Sequence, residues 1–199
     1  MGGGVHLLRV GMPVKTCWAC FAYVMRLLKM ACAEPRENEK GKTTVSIQLE
    51  IPQRGMIELQ HAVFDMYGTL AVDGVAVPGV AERLQTVSSQ LVVHLLTAGT
   101  DSRRRSELER TFGFPFHIMY NGDEKMRYVH QLGPANVIAF GNGVGDSSML
   151  RLASIGVAVL TPEGIARQAG QSADILVYGP INALDLLLKP TRLVATLCG

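Results

Sequence analysis

His61-Ala-Val-Phe-Asp65-Met-Tyr-Gly-Thr-Leu70 is an apolar run that ends in an aspartate and continues into a Gly-Thr turn. This pattern predicts a buried strand that carries Asp65 to its C-terminal end, where ligands bind in open α/β sheets. The turn at Gly68 and Thr69 leaves backbone N–H groups free to bind an anion. An aspartate at a strand end is a weak signal alone, because it commonly caps a turn. The residues that end the later strands strengthen it.

Strands and helices alternate along the chain around this segment. Before it, alternating apolar residues at 45–51 and a turn predict a hairpin with residues 56–60. After it we expect a loop at 72–79, helix 80–88, strand 91–97, a helix capped by Asp101 and extending to 110, strand 114–120, a helix capped by Asp123 and extending to 132, strand 136–140, helix 146–153, strand 156–160, a helix from Pro162, strand 174–178 and helix 181–188. This order predicts an α/β fold with a doubly wound, mainly parallel, Rossmann-like sheet. Right-handed crossovers then place all C-terminal strand ends at one edge.

Four polar residues follow or flank those strand ends: Asp65, Thr97, Lys125 and Asp146. A carboxylate can attack phosphorus only if its charge is neutralised, which a divalent cation between two aspartates and a nearby lysine would achieve. A threonine hydroxyl can hold a phosphoryl oxygen, and Mg²⁺ suits a site of oxygen ligands. These residues therefore predict Mg²⁺-assisted phosphoryl transfer through an aspartyl phosphate.

Four motifs in this order resemble the haloacid dehalogenase-like (HAD) superfamily, in particular the small soluble proteins related to the phosphorylation domain of P-type ATPases. The motifs are Asp65-Met-Tyr-Gly-Thr-Leu70, Leu95-Leu-Thr97, Lys125, and Gly141-Asn-Gly-Val-Gly-Asp146-Ser-Ser-Met-Leu150. The last is similar to the Gly-Asp-Gly-x-Asn-Asp loop of the ATPases. The resemblance covers about residues 45–197 and implies a HAD-type hydrolase.

The resemblance also implies the roles of individual residues. Asp65 would be the nucleophile and a metal ligand, and the metal site would be completed by the Tyr67 carbonyl, Asp146 and the position of Asn142. The phosphoryl group would be held by Thr97 and Lys125. The substrate contacts expected in all are Gly68, Thr69, Thr97, Ala98 and Lys125.

Three residues differ from the pattern that the resemblance implies. HAD phosphatases usually have an acid/base aspartate where this chain has Tyr67, and a phenol with a pKa near 10 is a poor base at neutral pH. Asn142 replaces the first acidic residue of the last loop, and Gly145 stands where the ATPases have asparagine. We therefore expect a slow phosphatase. The alternatives are a non-catalytic module that binds Mg²⁺ and phosphate, and a 2-haloacid dehalogenase, a family that shares the tyrosine.

The spacing of the motifs leaves no room for a cap domain over the site. Only 31 residues lie between Asp65 and Thr97, and 27 between Thr97 and Lys125. A small haloacid would need a closed, water-poor pocket, so the spacing disfavours dehalogenation. We expect a large phosphorylated substrate, or a neighbouring subunit of a homo-oligomer that closes the site.

Residues 1–42 differ from the rest of the chain, and they predict a loosely packed or disordered extension and linker ahead of a catalytic domain at 43–199. Cys17-Trp-Ala-Cys20 lacks the second ligand pair that a zinc site requires. The alternatives here are a signal peptide and translation from an internal methionine such as Met30. The apolar run at 16–25 is about half as long as a membrane span.

Composition limits the partners and the compartment. The 199-residue chain is 48% hydrophobic and 18% charged, which is typical of a globular protein. Its formal net charge of +2 does not favour nucleic-acid binding. The four cysteines form no disulfide framework, which favours a reducing, cytoplasmic location.

Overall fold

The computed structural model describes residues 46–99 and 101–198. Its main sheet has six parallel strands in the order β10-β9-β8-β3-β6-β7. These strands are β3 (His61–Asp65), β6 (Val92–Thr97), β7 (Phe116–Ile118), β8 (Val137–Gly141), β9 (Ile155–Leu160) and β10 (Ile175–Tyr178). An antiparallel hairpin, β1 (Ile47–Ile51) and β2 (Gly55–Leu59), precedes them. The predicted α/β fold with a leading hairpin is confirmed.

Seven α-helices occur within the described residues. They are α1 (Val80–Ser88), α2 (Ser102–Phe112), α3 (Gly122–Leu132), α4 (Ser147–Leu152), α5 (Arg167–Ser172), α6 (Gly179–Leu188) and α7 (Thr191–Leu197). Two short 3₁₀ turns, Pro134–Asn136 and Val144–Asp146, precede β8 and α4. The predicted helices at 80–88, 101–110 and 181–188 agree with α1, α2 and α6 within two residues.

Strand β3 lies at the centre of the sheet because its residues are apolar on both faces. It pairs in parallel with β6 on one side and β8 on the other. Ala62, Val63 and Phe64 are fully buried, and the Phe64 ring stacks on Phe140 of β8 at a centroid distance of 4.5 Å. Burial on both faces is the normal state of a central parallel strand. Asp65 is therefore held at the C-terminal edge by the strand that is best fixed on both sides.

Two local predictions were wrong for identifiable reasons. The N-cap of α3 is Asn121, whose Oδ1 accepts the Glu124 N–H at 2.9 Å, and Asp123 lies in the first turn. Pro162 does not begin a helix, because the Gly164 N–H donates to the Thr161 carbonyl and closes a tight turn. Helix α5 begins only at Arg167.

Two elements have no counterpart in the sequence-based prediction. Within the expected loop at 72–79, β4 (Ala71–Val72) and β5 (Val75–Ala76) form a small hairpin around Asp73 and Gly74. Both turn residues have positive φ, 51° and 75°. An Asp-Gly pair is a strong hairpin signal, because this turn type requires positive φ at both central positions. Helix α7 was also not predicted.

The described residues contain no cap domain. Between β3 and β6 there are only the β4–β5 hairpin and α1, and between β6 and α3 only α2 and β7. No helix in the described ranges is long and apolar enough to cross a bilayer. The extension at 1–42, the boundary at 42/43 and Cys17, Cys20 and Cys32 lie outside the described residues.

Candidate active site

Three ionisable side chains meet at the C-terminal edge of the sheet. The Lys125 Nζ atom donates to Asp65 Oδ1 at 2.5 Å and to Asp146 Oδ1 at 2.7 Å. Asp65 ends β3, Lys125 lies in the first turn of α3, and Asp146 ends the 3₁₀ turn before α4. Their exposed fractions are 7%, 6% and 2%. The fold thus brings three of the four residues singled out by strand order into direct contact.

The last glycine-rich loop is shaped around the Asp146 carboxylate. Asp146 Oδ2 accepts the backbone N–H groups of Asn142 at 3.0 Å and Gly143 at 2.8 Å. A Cβ atom on Gly141 would lie 2.5 Å from the Asp146 Cβ and 2.6 Å from its Cγ. Glycine is therefore required at 141 for this carboxylate to approach the strand end, and the two amides leave Oδ1 directed at Lys125.

Burial and charge repulsion favour a proton on Asp65. The pKa of Asp65 is raised to about 7: burial raises it most, the charge of Asp146 adds to this, and Lys125 opposes both effects. Burial alone would lower the pKa of Lys125, but the two carboxylates outweigh it and raise that pKa. The cluster contains two carboxyl groups and only one ammonium group. A second cation would relieve the repulsion between the two carboxylates.

Asn142 and Thr69 connect the nucleophile loop to the last loop. The Thr69 hydroxyl donates to Asn142 Oδ1 at 3.2 Å and lies 3.4 Å from Asp65 Oδ2. Gly68 has φ +74°, and a Cβ atom there would collide with the Asn142 amide. The Thr161 hydroxyl donates to the Gly68 carbonyl at 2.9 Å. Asn142, expected at the metal, thus has its amide oxygen bonded to Thr69.

Thr97 and Tyr67 lie together beside Gly99. Thr97 is fully buried, and its Oγ1 accepts the Gly99 N–H at 3.0 Å. A Cβ atom on Gly99 would lie 3.0 Å from Thr97 Oγ1 and 2.7 Å from Tyr67 Cε2. Ala98, the remaining expected substrate contact, is exposed directly after the strand. Burial raises the pKa of the Tyr67 phenol above its usual value near 10, so it is protonated at neutral pH.

The oxygen ligands available here fit Mg²⁺ better than a softer metal. The described residues contain no group of three or more His, Cys, Asp or Glu side chains placed to hold a metal. Mg²⁺ is commonly bound through one or two carboxylates while it keeps several waters. Asp65 and Asp146 provide this pair, and their mutual repulsion favours an added cation.

A second polar cluster lies below the first on the same elements, and the sequence analysis did not identify it. Hydrogen bonds join His61 Nδ1 to His94 Nε2 at 3.1 Å, His94 Nδ1 to the Tyr128 hydroxyl at 2.9 Å, and that hydroxyl to His117 Nε2 at 3.1 Å. We call these four residues the histidine chain. His94 is 8% exposed and lies in the core. Burial, and then His61 and His117, lower its pKa to about 4, so His94 is neutral at pH 7.

Sequence comparisons find two relatives of this chain. An uncharacterized protein of Methanocaldococcus jannaschii is 38% identical over 76 residues, which span 36% of this chain and 82% of that protein. The ATP-binding subunit of a potassium-transporting ATPase of Halobacterium salinarum is 23% identical over 141 residues. That match spans 69% of this chain but only 18% of the subunit. No protein-family model matches the sequence.

Structural comparisons find the same fold in proteins of low sequence identity. One is the 3-deoxy-D-manno-octulosonate 8-phosphate phosphatase of Moraxella catarrhalis, in complex with magnesium, phosphate and the sugar acid; its TM-score is 0.54 at 17% identity, covering 69% of this chain and 90% of that chain. Another, from Streptomyces avermitilis, is assigned to the HAD hydrolases; its TM-score is 0.53 at 17% identity, covering 67% and 87% of the two chains. At these identities the likeness concerns the fold.

Proposed function

The chain belongs to one family with the M. jannaschii protein and has the fold of the haloacid dehalogenase-like superfamily, and from these premises we propose that it is a Mg²⁺-dependent phosphatase acting through an aspartyl phosphate on Asp65. The observation that carries the proposal is the contact of Lys125 with both Asp65 and Asp146 at the strand ends, next to the buried Thr97 hydroxyl. A structural ion pair needs only one carboxylate. Two carboxylates around one ammonium group instead favour a cation and a phosphoryl group.

The reaction has two steps. The Asp65 carboxylate attacks the phosphorus of a phosphate ester, an oxygen–phosphorus bond to Asp65 forms, the bond between phosphorus and the ester oxygen breaks, and the leaving oxygen takes a proton from solvent water to depart as the alcohol. A water molecule then attacks the same phosphorus and releases inorganic phosphate, which restores the carboxylate. Lys125 and Thr97 hold the phosphoryl oxygens during both steps, and the Ala98 N–H group adds a donor to the anion site. The Gly68 and Thr69 N–H groups, which the sequence predicted to be free for an anion, instead donate to the Ala71 carbonyl at 2.8 Å and the Met66 carbonyl at 3.4 Å, because the chain turns back on itself after Met66.

Mg²⁺ would be held by the carboxylates of Asp65 and Asp146 and by the Tyr67 backbone carbonyl. It would neutralise the charge that otherwise keeps a carboxylate and a phosphate apart. Asn142, the other ligand expected from the sequence, would have to release Thr69 before its oxygen could reach the metal.

Turnover is expected to be slow, because Tyr67 is a poor general base. A base is useful when its pKa lies near the operating pH, and burial moves the pKa of this phenol further away. The attacking water therefore has no strong proton acceptor at position 67.

We further propose that the substrate is large or that a second subunit covers the site. With no cap domain between the described strands, Asp65 would be reached by a phosphoprotein or another bulky phosphate ester. A cytoplasmic location agrees with this class of substrate.

The direct test is the mass of the intact protein after incubation with Mg²⁺ and acetyl phosphate. A gain of one phosphoryl group that is absent in Asp65→Asn would support the proposal. Rapid phosphate release that depends on Asp65, without a gain in mass, would keep Asp65 as nucleophile and contradict the slow second step. Neither a mass gain nor phosphate release would contradict the phosphatase.

A second candidate function is a module that binds Mg²⁺ and phosphate without turnover. The observation in its favour is that Asn142 takes the place of an acidic residue and bonds to Thr69, which leaves the metal two carboxylates. The variant Tyr67→Asp separates the candidates, because an added base should raise phosphatase activity only if the rest of the site is competent. No activity in either form would favour the module.

A further inference from the structure

Helix α2 starts beside the site with three consecutive arginines. The chain leaves β6 at Thr97 and enters α2 at Ser102, so the first turn of α2 lies at the same sheet edge as Asp65. Asp101 Oδ1 accepts the backbone N–H groups of Arg103 at 3.0 Å and Arg104 at 3.1 Å. This cap fixes the direction in which the helix leaves the edge.

Arg104 extends from this helix to the hairpin that follows the nucleophile loop. A Cβ atom on Gly74 would lie 2.7 Å from Arg104 Nη1 and 2.9 Å from its Cδ. Gly74 is the tip of the β4–β5 hairpin, which begins six residues after Asp65. The Arg104 side chain therefore crosses from the loop after β6 to the loop after β3, the two loops that border the site.

Tyr67 connects these arginines to the residues proposed to hold phosphate. Its ring lies against Gly99 together with the Thr97 hydroxyl, and the charges of Arg104 and Arg105 both act on the Tyr67 phenol. Asp101 is the acidic group that acts on the same phenol. We call Tyr67, Arg104 and Arg105 the site entrance. Two of the three charges that act on this phenol are therefore positive. Two further acidic residues, Asp73 and Glu163, lie at the hairpin tip, where Glu163 Oε1 accepts the Asp73 N–H at 2.7 Å.

The entrance arginines have no ion-pair partner among the described acidic residues. The six ion pairs in the described ranges involve other basic groups, namely Arg54, Arg83, Lys125, Lys189 and Arg192. Arg104 is exposed and Arg105 is half-buried. Their charges thus remain available to an anion that approaches the site.

We infer that the substrate is a phosphate ester whose leaving group carries a second anionic group, which binds Arg104 and Arg105. The inference rests on the proposed function: with the phosphoryl group at Thr97 and Lys125, the leaving group would pass Tyr67 and reach the arginines. A guanidinium group binds a carboxylate or a phosphate through paired N–H donors. Because the arginines are exposed to solvent, the expected gain in affinity is modest, about three- to fivefold.

Binding to a variant without turnover tests this inference independently of catalysis. The full-length Asp65→Asn protein would be titrated by calorimetry in the presence of Mg²⁺. The two ligands are 4-carboxyphenyl phosphate, whose leaving group carries a carboxylate, and the nearly isosteric 4-carbamoylphenyl phosphate, whose leaving group is uncharged. We expect the carboxylate ester to bind about three- to fivefold more tightly, and less so as salt rises. Adding Arg104→Gln and Arg105→Gln should remove the preference.

Arg103→Gln is the matched control, because Arg103 lies in the same turn but its charge does not act on Tyr67. It should retain the preference. Equal affinity for the two esters, binding of neither, or an equal loss in the Arg103 variant would overturn the inference. Hydrolysis of the carbamoyl ester by the wild-type protein tests the phosphatase separately. A binding preference without hydrolysis would leave the anion site in place and contradict the phosphatase.

Discussion

The cluster of charged residues at the sheet edge and the histidine chain below it share three elements of the fold. Strand β3 provides Asp65 above and His61 below, and helix α3 provides Lys125 above and Tyr128 below. Strand β6 likewise provides Thr97 at the edge and His94 underneath. The upper cluster is held by an ammonium group between two carboxylates, whereas the lower one consists of hydrogen bonds between imidazole rings and a phenol.

Burial alone does not explain this difference. Asp65 and His94 are 7% and 8% exposed, and in both burial favours the neutral form: the pKa of Asp65 rises to about 7 and that of His94 falls to about 4. The partners differ. Asp65 has the Lys125 ammonium group at 2.5 Å, while His94 bonds to the His61 ring and the Tyr128 hydroxyl. A buried site can therefore keep a charge for chemistry only where an opposite charge is provided with it.

Removing the cation should have the largest effect. Lys125→Met leaves Asp65 and Asp146 buried without compensation, and we expect the free energy of unfolding at pH 8 without Mg²⁺ to fall by about 3–5 kcal/mol. Saturating Mg²⁺ should recover part of this loss, since it would bind between the same carboxylates. Urea unfolding in chelator and in Mg²⁺ measures both quantities.

Lys189→Met is the control for this variant, because Lys189 forms an exposed ion pair with Asp185. It should cost less than about 1 kcal/mol, with no response to Mg²⁺. Similar losses in both variants would mean that the charged cluster is no more sensitive than the protein surface.

Breaking the histidine chain should have a smaller effect. Tyr128→Phe removes the hydroxyl that joins His94 to His117, and we expect a loss of about 1–2 kcal/mol because two ring nitrogens lose a partner. Tyr120→Phe, at a tyrosine that is 70% exposed, should change the stability by less than about 0.5 kcal/mol. Equal unfolding free energies for the two variants would show that the chain adds no stability.

The contributions of His94 and Asp65 to the free energy of unfolding should change with pH in opposite directions. Between its folded pKa of about 4 and its usual value of 6.5, His94 binds more protons in the unfolded state, so its contribution to stability is lost as the pH falls through this window. Asp65 binds more protons in the folded state between 3.8 and about 7, so its contribution is lost as the pH rises.

The variant His94→Gln isolates one of these signs. The difference in unfolding free energy between wild type and this variant should shrink from pH 7 to pH 4, measured by urea unfolding in closely spaced buffers. A constant difference across this range would mean that His94 titrates normally in the folded protein.

The smallest effect on stability is expected at Gly99. In Gly99→Ala the new methyl group would press on the Tyr67 ring, which can move outward, so the stability should change by less than about 0.5 kcal/mol. The KM for phosphate esters should rise, because Tyr67 and Thr97 share this contact. Gly145→Ala, where a Cβ atom would have no neighbour within 4 Å, is the control for adding a methyl group to a loop of the site. An unchanged KM in Gly99→Ala would exclude Tyr67 from the substrate path.

The cluster of Asp65, Lys125 and Asp146 could be predicted from the sequence because it follows a rule of topology. Each of its residues comes at or after the end of a strand, and parallel strands end at one edge. The histidine chain follows no such rule, since its contacts join three strands and a helix through side-chain direction. A usable signal existed: three predicted neighbouring strands each contain one histidine, at positions 61, 94 and 117.

The two elements that the sequence analysis misplaced or missed between β3 and α5 have different causes. Thr161, next to the proline expected to start a helix, bonds instead to the Gly68 carbonyl in the nucleophile loop. The short β4–β5 hairpin was signalled locally by Asp73 and Gly74, but two strands of two residues are below the length that periodicity can detect.

The central position of β3 also has a consequence for biosynthesis. This strand leaves the ribosome before either of the strands that flank it, β6 and β8, and the second flank ends only at Gly141. Its pairing with β6 can form once Thr97 has been translated, but the side that pairs with β8 stays open while more than seventy residues beyond Asp65 are added. Parallel pairings of this kind form slowly, and exposed apolar strands attract other chains. The residue proposed as nucleophile thus lies on a strand whose pairing is completed late in synthesis.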